Sequence, residues 1–222
     1  MMKDDSVSQP PPRQGRRAFL KSATAAAALP AAAAALSPPA RGAANSNYIP
    51  TLYRGWNARN FSQILEDENE HVEAIVSTLG SLARPKPIFQ NLVQPNAQQF
   101  AAVSRVLENV GVGAYLGALP LIQSKAYVAA AGSIALIEAR HAGYLNTLLD
   151  VNIVENALGD VSSFDQPLSP EKVVELAGPF IADLNGGPPL LPLANDVDIF
   201  NFALALEYLE VEFYNLNVPR FF

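Results

Sequence analysis

The chain has only two histidines in 222 residues, and each follows a glutamate by three positions. The pairs are Glu68 with His71 and Glu138 with His141. Residues three apart lie side by side on one face of an α-helix. Both pairs interrupt rows of apolar residues that recur at alternating steps of three and four, the pattern of a buried helix face. Because a buried carboxylate is costly unless it is paired or metal-bound, these pairs predict a polar site inside a helical core.

The apolar rows predict four long helices. They cover about 57–82, 96–118, 125–150 and 196–217. The stretch 151–195 is rich in Pro, Gly, Asp and Ser, and we predict an irregular linker there, with one short helix near 170–178 that begins after Ser169. The predicted fold class is therefore all-α, with the four long helices forming an antiparallel four-helix bundle over residues 45–222.

The two helices without histidine carry a glutamate on the core-facing row and a tyrosine seven residues later. These pairs are Glu108 with Tyr115 and Glu207 with Tyr214, and Glu210 adds a second carboxylate to the last row. One Glu from each of two helices, with a Glu-x-x-His motif from each of the other two, forms a dinuclear metal site in four-helix bundles. The sequence therefore predicts a site for two metal ions. The alternative is two core-facing Glu–His pairs that hydrogen bond without metal.

Several other polar residues and glycines lie near these rows. We interpret four acidic residues of the first helix as a solvated face; they are Glu66, Asp67, Glu70 and Glu73. Arg140 is interpreted as a surface residue, with contact to a carboxylate of the site as the alternative. Three glycines of the second helix lower its helix propensity, and close approach of a neighbouring helix is one reason to accept them. They are Gly111, Gly113 and Gly117. Asp196 is predicted to cap the last helix.

Residues 1–44 have the pattern of an export signal and a disordered tail. The segment GRRAFLK at 15–21 resembles the twin-arginine motif, and an alanine-rich apolar run follows from Ser22 to Leu36. That run is too short and too weakly apolar for a stable membrane span, and small residues suited to signal cleavage follow it. We expect export by the twin-arginine pathway to the periplasm or the outside of the cell. A low-complexity alanine-rich tail is the alternative.

Charge and composition exclude some functions. The formal net charge is −6, and from residue 45 onward nine Lys and Arg face nineteen Asp and Glu. This balance argues against a nucleic-acid partner, which requires a basic face. The chain contains no cysteine, so disulfides and thiolate metal sites are excluded.

Five segments resemble the ferritin-like domain of the desiccation-related proteins of plants, fungi and bacteria. They are DENEHVEAI at 67–75, ENVGVGAYLGALP at 108–120, AAAGSIALIEARHAGYLN at 129–146, FDQPLSPEKV at 164–173 and DVDIFNFALALEYLEVEFYN at 196–215. The resemblance implies a bacterial member of that family, with a four-helix bundle similar to those of ferritins, bacterioferritins and rubrerythrins. It implies Glu68, His71, Glu108, Glu138, His141 and Glu207 as metal ligands. Glu210 resembles the additional glutamate of rubrerythrins, and Tyr214 corresponds to the tyrosine near the site.

The helix order departs from that family. The helix that resembles the segment at 196–215 is usually first and here is last, so we predict a circular permutation. A 22-residue helix is about 33 Å long and the linker at 83–95 reaches about 43–47 Å when extended, so the chain can make the required crossing. The two ends of the folded domain must then pack side by side. The alternatives are a last helix exchanged between chains of a homodimer, or a fragment of a tandem gene.

The predicted ligands favour iron or manganese, since the site is rich in carboxylates and has one histidine per metal. Zinc prefers four-coordinate sites with nitrogen or sulfur ligands. Such a site suits redox chemistry on dioxygen or peroxide, in oxidative stress or desiccation, with Tyr214 and Tyr115 moving an electron or a proton. The alternative function is a non-enzymatic stress protein of the cell envelope whose site is structural or empty. Iron storage is disfavoured, because the sequence shows no sign of the extensive self-association surface that a cage requires.

Overall fold

The computed structural model describes residues 47–222, and the predicted export signal lies outside this range. The four long helices are α1 (Trp56–Leu79), α2 (Ala97–Ala118), α3 (Lys125–Leu148) and α5 (Asp196–Phe221), and the short helix is α4 (Pro170–Ala177). Single turns of 3-10 helix follow α1, α2 and α4 at Gly80–Leu82, Leu119–Leu121 and Gly178–Phe180. The predicted fold class, an all-α bundle, is confirmed.

Side chains of the residues just before the helices set where most of them begin. Asn96, Ser124 and Ser169 each accept a hydrogen bond from a backbone N–H in the first turn of α2, α3 and α4. The residue that caps α5 in this way is Asn195, which accepts from the backbone N–H of Asp198, so the prediction of Asp196 as the cap is wrong. The carboxylate of Asp196 instead accepts from the backbone N–H groups of Gln123 and Ser124, and thereby ties the start of α5 to the turn before α3.

The helix ends differ from the predicted bounds by a few residues. Helix α1 ends at Leu79 rather than near residue 82, because Gly80 has a φ of 55°, outside the helical region. Helix α3 ends at Leu148 rather than near residue 150, and Asp150 has a φ of 57°. The helical row of apolar residues runs past both points, so the row alone does not show where the backbone turns.

Helix α5 continues four residues beyond the predicted end at residue 217, through Pro219 to Phe221. A proline inside a helix removes one hydrogen bond. The ring of Phe221 lies 5.7 Å from that of Phe100, and the ring of Phe222 lies 5.0 Å from that of Phe61. Aromatic packing on the core offsets the lost hydrogen bond and holds the last turn in place.

The long helices pack as two pairs, α1 with α5 and α2 with α3. The expectation that both ends of the folded domain lie side by side is therefore confirmed, within a single chain. The buried apolar residues form two clusters, one containing Tyr214 and the other containing Tyr115. The candidate site lies on the core-facing rows of the same four helices.

The linker between α1 and α2 runs along α5 and is fastened at two buried asparagines. Asn201 accepts a hydrogen bond from the backbone N–H of Arg84, and Asn217 accepts one from the backbone N–H of Gln94. Between these points, β1 (Ile88–Phe89) pairs antiparallel with β2 (Ile181–Asp183), a small sheet that the sequence analysis did not predict. Among residues 47–222, no helix is long and apolar enough to cross a membrane.

Candidate metal centre

The predicted metal ligands converge in the interior of the bundle. Two groups of four residues each offer one ligand atom per residue, with all four atoms within 4.8 Å of one another. The groups are Glu68, Glu108, Glu138, His141 and Glu68, His71, Glu138, Glu207. All six residues are buried, and Glu68 and Glu138 belong to both groups, as carboxylates that bridge two ions would.

His71 presents Nδ1 to three carboxylates of the second group. This nitrogen lies 3.0 Å from Glu68 Oε2, 3.3 Å from Glu138 Oε1 and 3.3 Å from Glu207 Oε2. The contacts join α1 to α3 and α5. A single histidine nitrogen surrounded by carboxylate oxygens from three helices is the arrangement that a shared cation, or a proton, requires.

His141 has the equivalent position in the first group and one additional partner. Its Nδ1 lies 3.0 Å from Glu68 Oε1 and 3.1 Å from Glu108 Oε2, and its Nε2 lies 3.0 Å from Asp67 Oδ2. The interpretation of Asp67 as part of a solvated face is therefore wrong; this side chain is only 26% exposed and fixes the ring from outside the cluster. Asp67 directly precedes Glu68 but lies off the ligand row, so the helical pattern of α1 gave no sign of this contact. Arg140 is exposed, as expected.

The two tyrosines cross from one half of the site to the other. The hydroxyl of Tyr214 on α5 donates to Glu108 Oε1 on α2 at 2.5 Å, and the hydroxyl of Tyr115 on α2 donates to Glu207 Oε1 on α5. Both rings are buried. Each tyrosine therefore fixes one carboxylate oxygen of the facing helix and leaves the other oxygen turned towards the histidines.

Burial opposes ionisation of the carboxyl groups in the metal-free protein. Burial, followed by the charge of Glu108, raises the pKa of Glu68 to about 7. Burial, followed by the charge of Glu68, raises the pKa of Glu138 well above its ordinary value. The pKa of Glu210 is raised in the same way, by burial and then by the charge of Glu138. Full ionisation of the cluster therefore requires added positive charge.

The pKa values of both histidines are raised, which favours the positively charged imidazolium form. Burial alone lowers the pKa of His71, but the carboxylates of Glu138 and Glu207, each 3.3 Å from its Nδ1, outweigh it and raise the pKa. Burial also lowers the pKa of His141, but Glu108 outweighs it and raises the pKa to about 12. Protonated imidazoles thus partly neutralise the carboxylates in the metal-free protein, and a bound metal would have to displace those protons.

A family model for the ferritin-like domain matches residues 16–151, which is more than half of the chain. The chain belongs to the ferritin-like domain family. The match includes α1, α2 and α3 and ends before α5. No curated protein and no solved structure matches the chain.

The ligand set of this ferritin-like domain fits a pair of metal ions. Several buried carboxylate oxygens have no hydrogen-bond donor, namely Glu68 Oε1, Glu138 Oε1, Glu138 Oε2 and Glu207 Oε2. Three of them lie near a histidine Nδ1 that makes its hydrogen bond with a different carboxylate. Glu68 Oε1 is 3.0 Å from His141 Nδ1, which bonds to Glu108, and Glu138 Oε1 and Glu207 Oε2 are each 3.3 Å from His71 Nδ1, which bonds to Glu68. Unpaired buried acceptors are rare in native proteins and call for an explanation such as an ion. All of these oxygens belong to residues of the two ligand groups. With Glu210, the core contains five buried carboxyl groups, and two divalent cations would bring four positive charges to them.

Glu210 and Gly111 occupy corresponding places on α5 and α2, three residues after Glu207 and Glu108. Glu210 is buried beside the cluster but belongs to neither group of four ligand atoms. At Gly111, an added Cβ would lie 2.5 Å from Glu138 Oε2. Because Gly111 has no side chain, α2 leaves room for the carboxylate of Glu138. At the corresponding position, α5 instead adds the carboxylate of Glu210.

The other two glycines of α2 contact the linker between α3 and α4 rather than a neighbouring helix. The backbone N–H of Leu168 donates to the carbonyl of Gly113 at 2.9 Å, and an added Cβ on Gly117 would lie 2.1 Å from the carbonyl oxygen of Leu168. The expectation of close helix approach is therefore wrong for this pair, although close approach itself is what the glycines permit.

Proposed function

We propose that this protein is an exported ferritin-like protein that holds two iron or manganese ions and performs redox chemistry on dioxygen or peroxide. The observation that carries the proposal is the set of buried carboxylate oxygens without donors, which surrounds two histidine nitrogens at the centre of the bundle. No other part of residues 47–222 has a group of three or more metal-ligating side chains this close together.

The donor set favours iron or manganese. Each group of four contains three carboxylates and one histidine. Oxygen ligands suit hard to borderline ions, and imidazole adds affinity for iron in particular. Zinc sites in proteins are usually four-coordinate with nitrogen or sulfur ligands, and the chain has no cysteine. Two such ions, held by these carboxylates and histidines, would supply electrons to a small oxidant.

The protein's own residues would orient the site and control its protons. Tyr214 and Tyr115 hold Glu108 and Glu207 by hydrogen bonds, so these carboxylates are fixed before any ligand arrives. Both hydroxyl groups are also placed to give up or accept a proton at the carboxylate. Glu210 is a further buried carboxyl group that interacts electrostatically with Glu138 and Glu68, and it would respond when the charge of the site changes.

The cellular setting remains a prediction from the sequence. The twin-arginine motif at 15–21 supports export to the periplasm or beyond, since this route carries folded proteins with their cofactors. The resemblance to desiccation-related proteins supports a role in stress, and the position of α5 supports a permuted order. A homodimer is a further prediction, testable by the mass of the protein in solution.

Metal content tests the central proposal. Protein refolded with Fe(II) or Mn(II) and freed of excess metal should hold two ions per chain by elemental analysis. Glu138→Gln removes a carboxylate common to both groups and should abolish most of the binding. Glu70→Gln, at an exposed position on α1, is the matched control and should bind as the wild type does. A wild type without metal, or equal binding in both variants, would refute the proposal.

Oxygen consumption separates the enzyme from a structural metal protein. Anaerobic protein loaded with Fe(II) should consume dioxygen or peroxide in repeated cycles when a reductant is supplied, and Glu138→Gln should not. Metal that binds without turnover, and whose removal lowers the melting temperature, would instead identify the site as structural. Metal analysis and turnover together therefore decide between the two functions.

A further inference from the structure

The ligands of the two halves correspond residue by residue. Glu68 and His71 on α1 match Glu138 and His141 on α3, and Glu108 with Tyr115 on α2 match Glu207 with Tyr214 on α5. The same correspondence can be extended along the helices, and it shows where the two halves of the bundle differ in packing.

Aromatic rings fill the bundle beside Tyr214. Phe61 on α1 lies 4.8 Å from Phe100 on α2, measured between ring centroids, and Phe100 lies 5.5 Å from Phe213 on α5. The ring of Tyr214 lies 5.8 Å from that of Phe100. Phe61, Phe100 and Phe213 are fully buried, so this end is closed by side chains.

The corresponding positions beside Tyr115 hold much smaller side chains. Ala131 on α3 replaces Phe61, Ile199 on α5 replaces Phe100, and Ala114 on α2 replaces Phe213. All of these smaller residues line an apolar pocket. The pocket has a cavity volume of about 20 Å³, is partly open to solvent, and is also lined by Tyr115, Ala118, Ala203, Phe200 and Phe202. Two alanines and an isoleucine in place of three phenylalanines thus leave a small apolar cavity beside Tyr115.

The pocket ends at a side chain that touches the metal centre. The ring of Tyr115 lines the pocket, and its hydroxyl donates to Glu207, a member of the second ligand group. None of the six residues of the two ligand groups lines the pocket. A small molecule in the pocket would therefore be separated from the metal ligands by one tyrosine side chain.

We propose that this pocket admits dioxygen to the metal site past Tyr115, and that dioxygen rather than peroxide is the oxidant. The proposal rests on the proposed redox function. Every lining side chain is apolar except for the tyrosine, whose hydroxyl is already engaged with Glu207. Peroxide and water would lose hydrogen bonds on entry without gaining partners, which is costly. Dioxygen forms no such bonds in water and loses nothing, and apolar cavities in proteins are known to stay dry and to take up apolar atoms such as xenon.

Xenon tests the pocket without any metal or turnover. Metal-free protein should bind xenon, observed by the shift of ¹²⁹Xe resonance or by crystals under xenon pressure, with the atom beside Tyr115. Ala131→Leu fills the pocket and should abolish binding. Ala129→Leu adds the same group at an exposed position of α3 and should leave binding unchanged. Xenon that binds Ala131→Leu as well as the wild type, or does not bind the wild type, would overturn the pocket.

Rates with the two oxidants test the choice of substrate. In Fe(II)-loaded protein, Ala131→Leu should reduce the initial rate of dioxygen consumption several-fold, while metal content and the rate with peroxide stay at the wild-type values. Ala203→Val, at a partly exposed position of the pocket, provides a second filled variant that strains the core less. Equal losses with both oxidants, or no loss with dioxygen, would overturn the proposal. A wild type that binds no metal would instead overturn the proposed function, while the xenon result would still report on the pocket.

Discussion

The metal-free protein should lose stability as the pH rises from about 5 to 8. The group that carries this prediction is Glu68, whose pKa burial and the charge of Glu108 raise from the ordinary 4.5 to about 7. Between these two values the folded protein keeps a proton that the unfolded chain has released. The folded state therefore binds more protons, and the free energy of unfolding falls with increasing pH. Since one pKa unit corresponds to about 1.4 kcal/mol, the full interval corresponds to about 3 kcal/mol.

The histidines extend the decline to higher pH. Burial lowers the pKa of His141, but Glu108 outweighs it, and the pKa rises from 6.5 to about 12. A group with a raised pKa contributes stability that is fully present below its unfolded value. His141 therefore stabilises the protein up to about pH 6.5 and contributes less as the pH rises towards 12. The two groups act in the same direction, so no compensating rise is expected between pH 5 and 8.

Bound metal should reverse this dependence. Metal ions bind deprotonated ligands, so binding releases protons and strengthens as the pH rises. Urea unfolding at pH 5, 6, 7 and 8, with a chelator and then with saturating Mn(II), measures both cases. Glu68→Gln should reduce the slope between pH 5 and 7 in the metal-free protein without abolishing it, because burial also raises the pKa values of Glu138 and Glu210. Metal-free stability that increases from pH 5 to 8 would refute the account of a buried, proton-sharing cluster.

Three further predictions concern single substitutions, and two of these are beside the ligands. Asp67→Asn should weaken metal binding by about 10- to 100-fold in a metal titration, because it alters the hydrogen bond that orients His141; unchanged affinity would contradict this role. Gly111→Ala should weaken metal binding by displacing the carboxylate of Glu138, although alanine favours the helix by up to about 1 kcal/mol. Gly132→Ala, where an added Cβ meets nothing within 4 Å, should stabilise α3 to urea without affecting metal binding.

The ligands could be predicted from the sequence because the core-facing row of each helix is visible in the periodicity of its own residues. Glu68 and His71 lie on one row, and so do Glu207 and Tyr214, so local periodicity was sufficient to place them on inward faces. Periodicity does not say which residue meets which across the bundle. Asp67 contacts a histidine 74 positions away, and no local pattern of α1 contains that information.

Chain ends and linkers were less predictable for a related reason. The stop of α1 depends on one φ angle at Gly80, and the extension of α5 depends on rings packed against distant phenylalanines. The path of the linker between α1 and α2 depends on Asn201 and Asn217, whose side chains accept hydrogen bonds from backbone N–H groups more than 100 residues away. Polar residues on a core-facing row predict that something is bound there, but not whether the partner is an ion or a backbone group.

The two ligand groups differ in how they depend on the chain. Glu68, Glu108, Glu138 and His141 all lie within the part that the family model matches, so that part contains one complete group. The other group also requires Glu207 from α5, beyond the match. Helix α5 reaches His71 only because it pairs with α1, and the linker bonds at Asn201 and Asn217 hold that pair. The second ligand group therefore depends on the long-range pairing of the chain ends, and the first depends on helices that are consecutive in the chain.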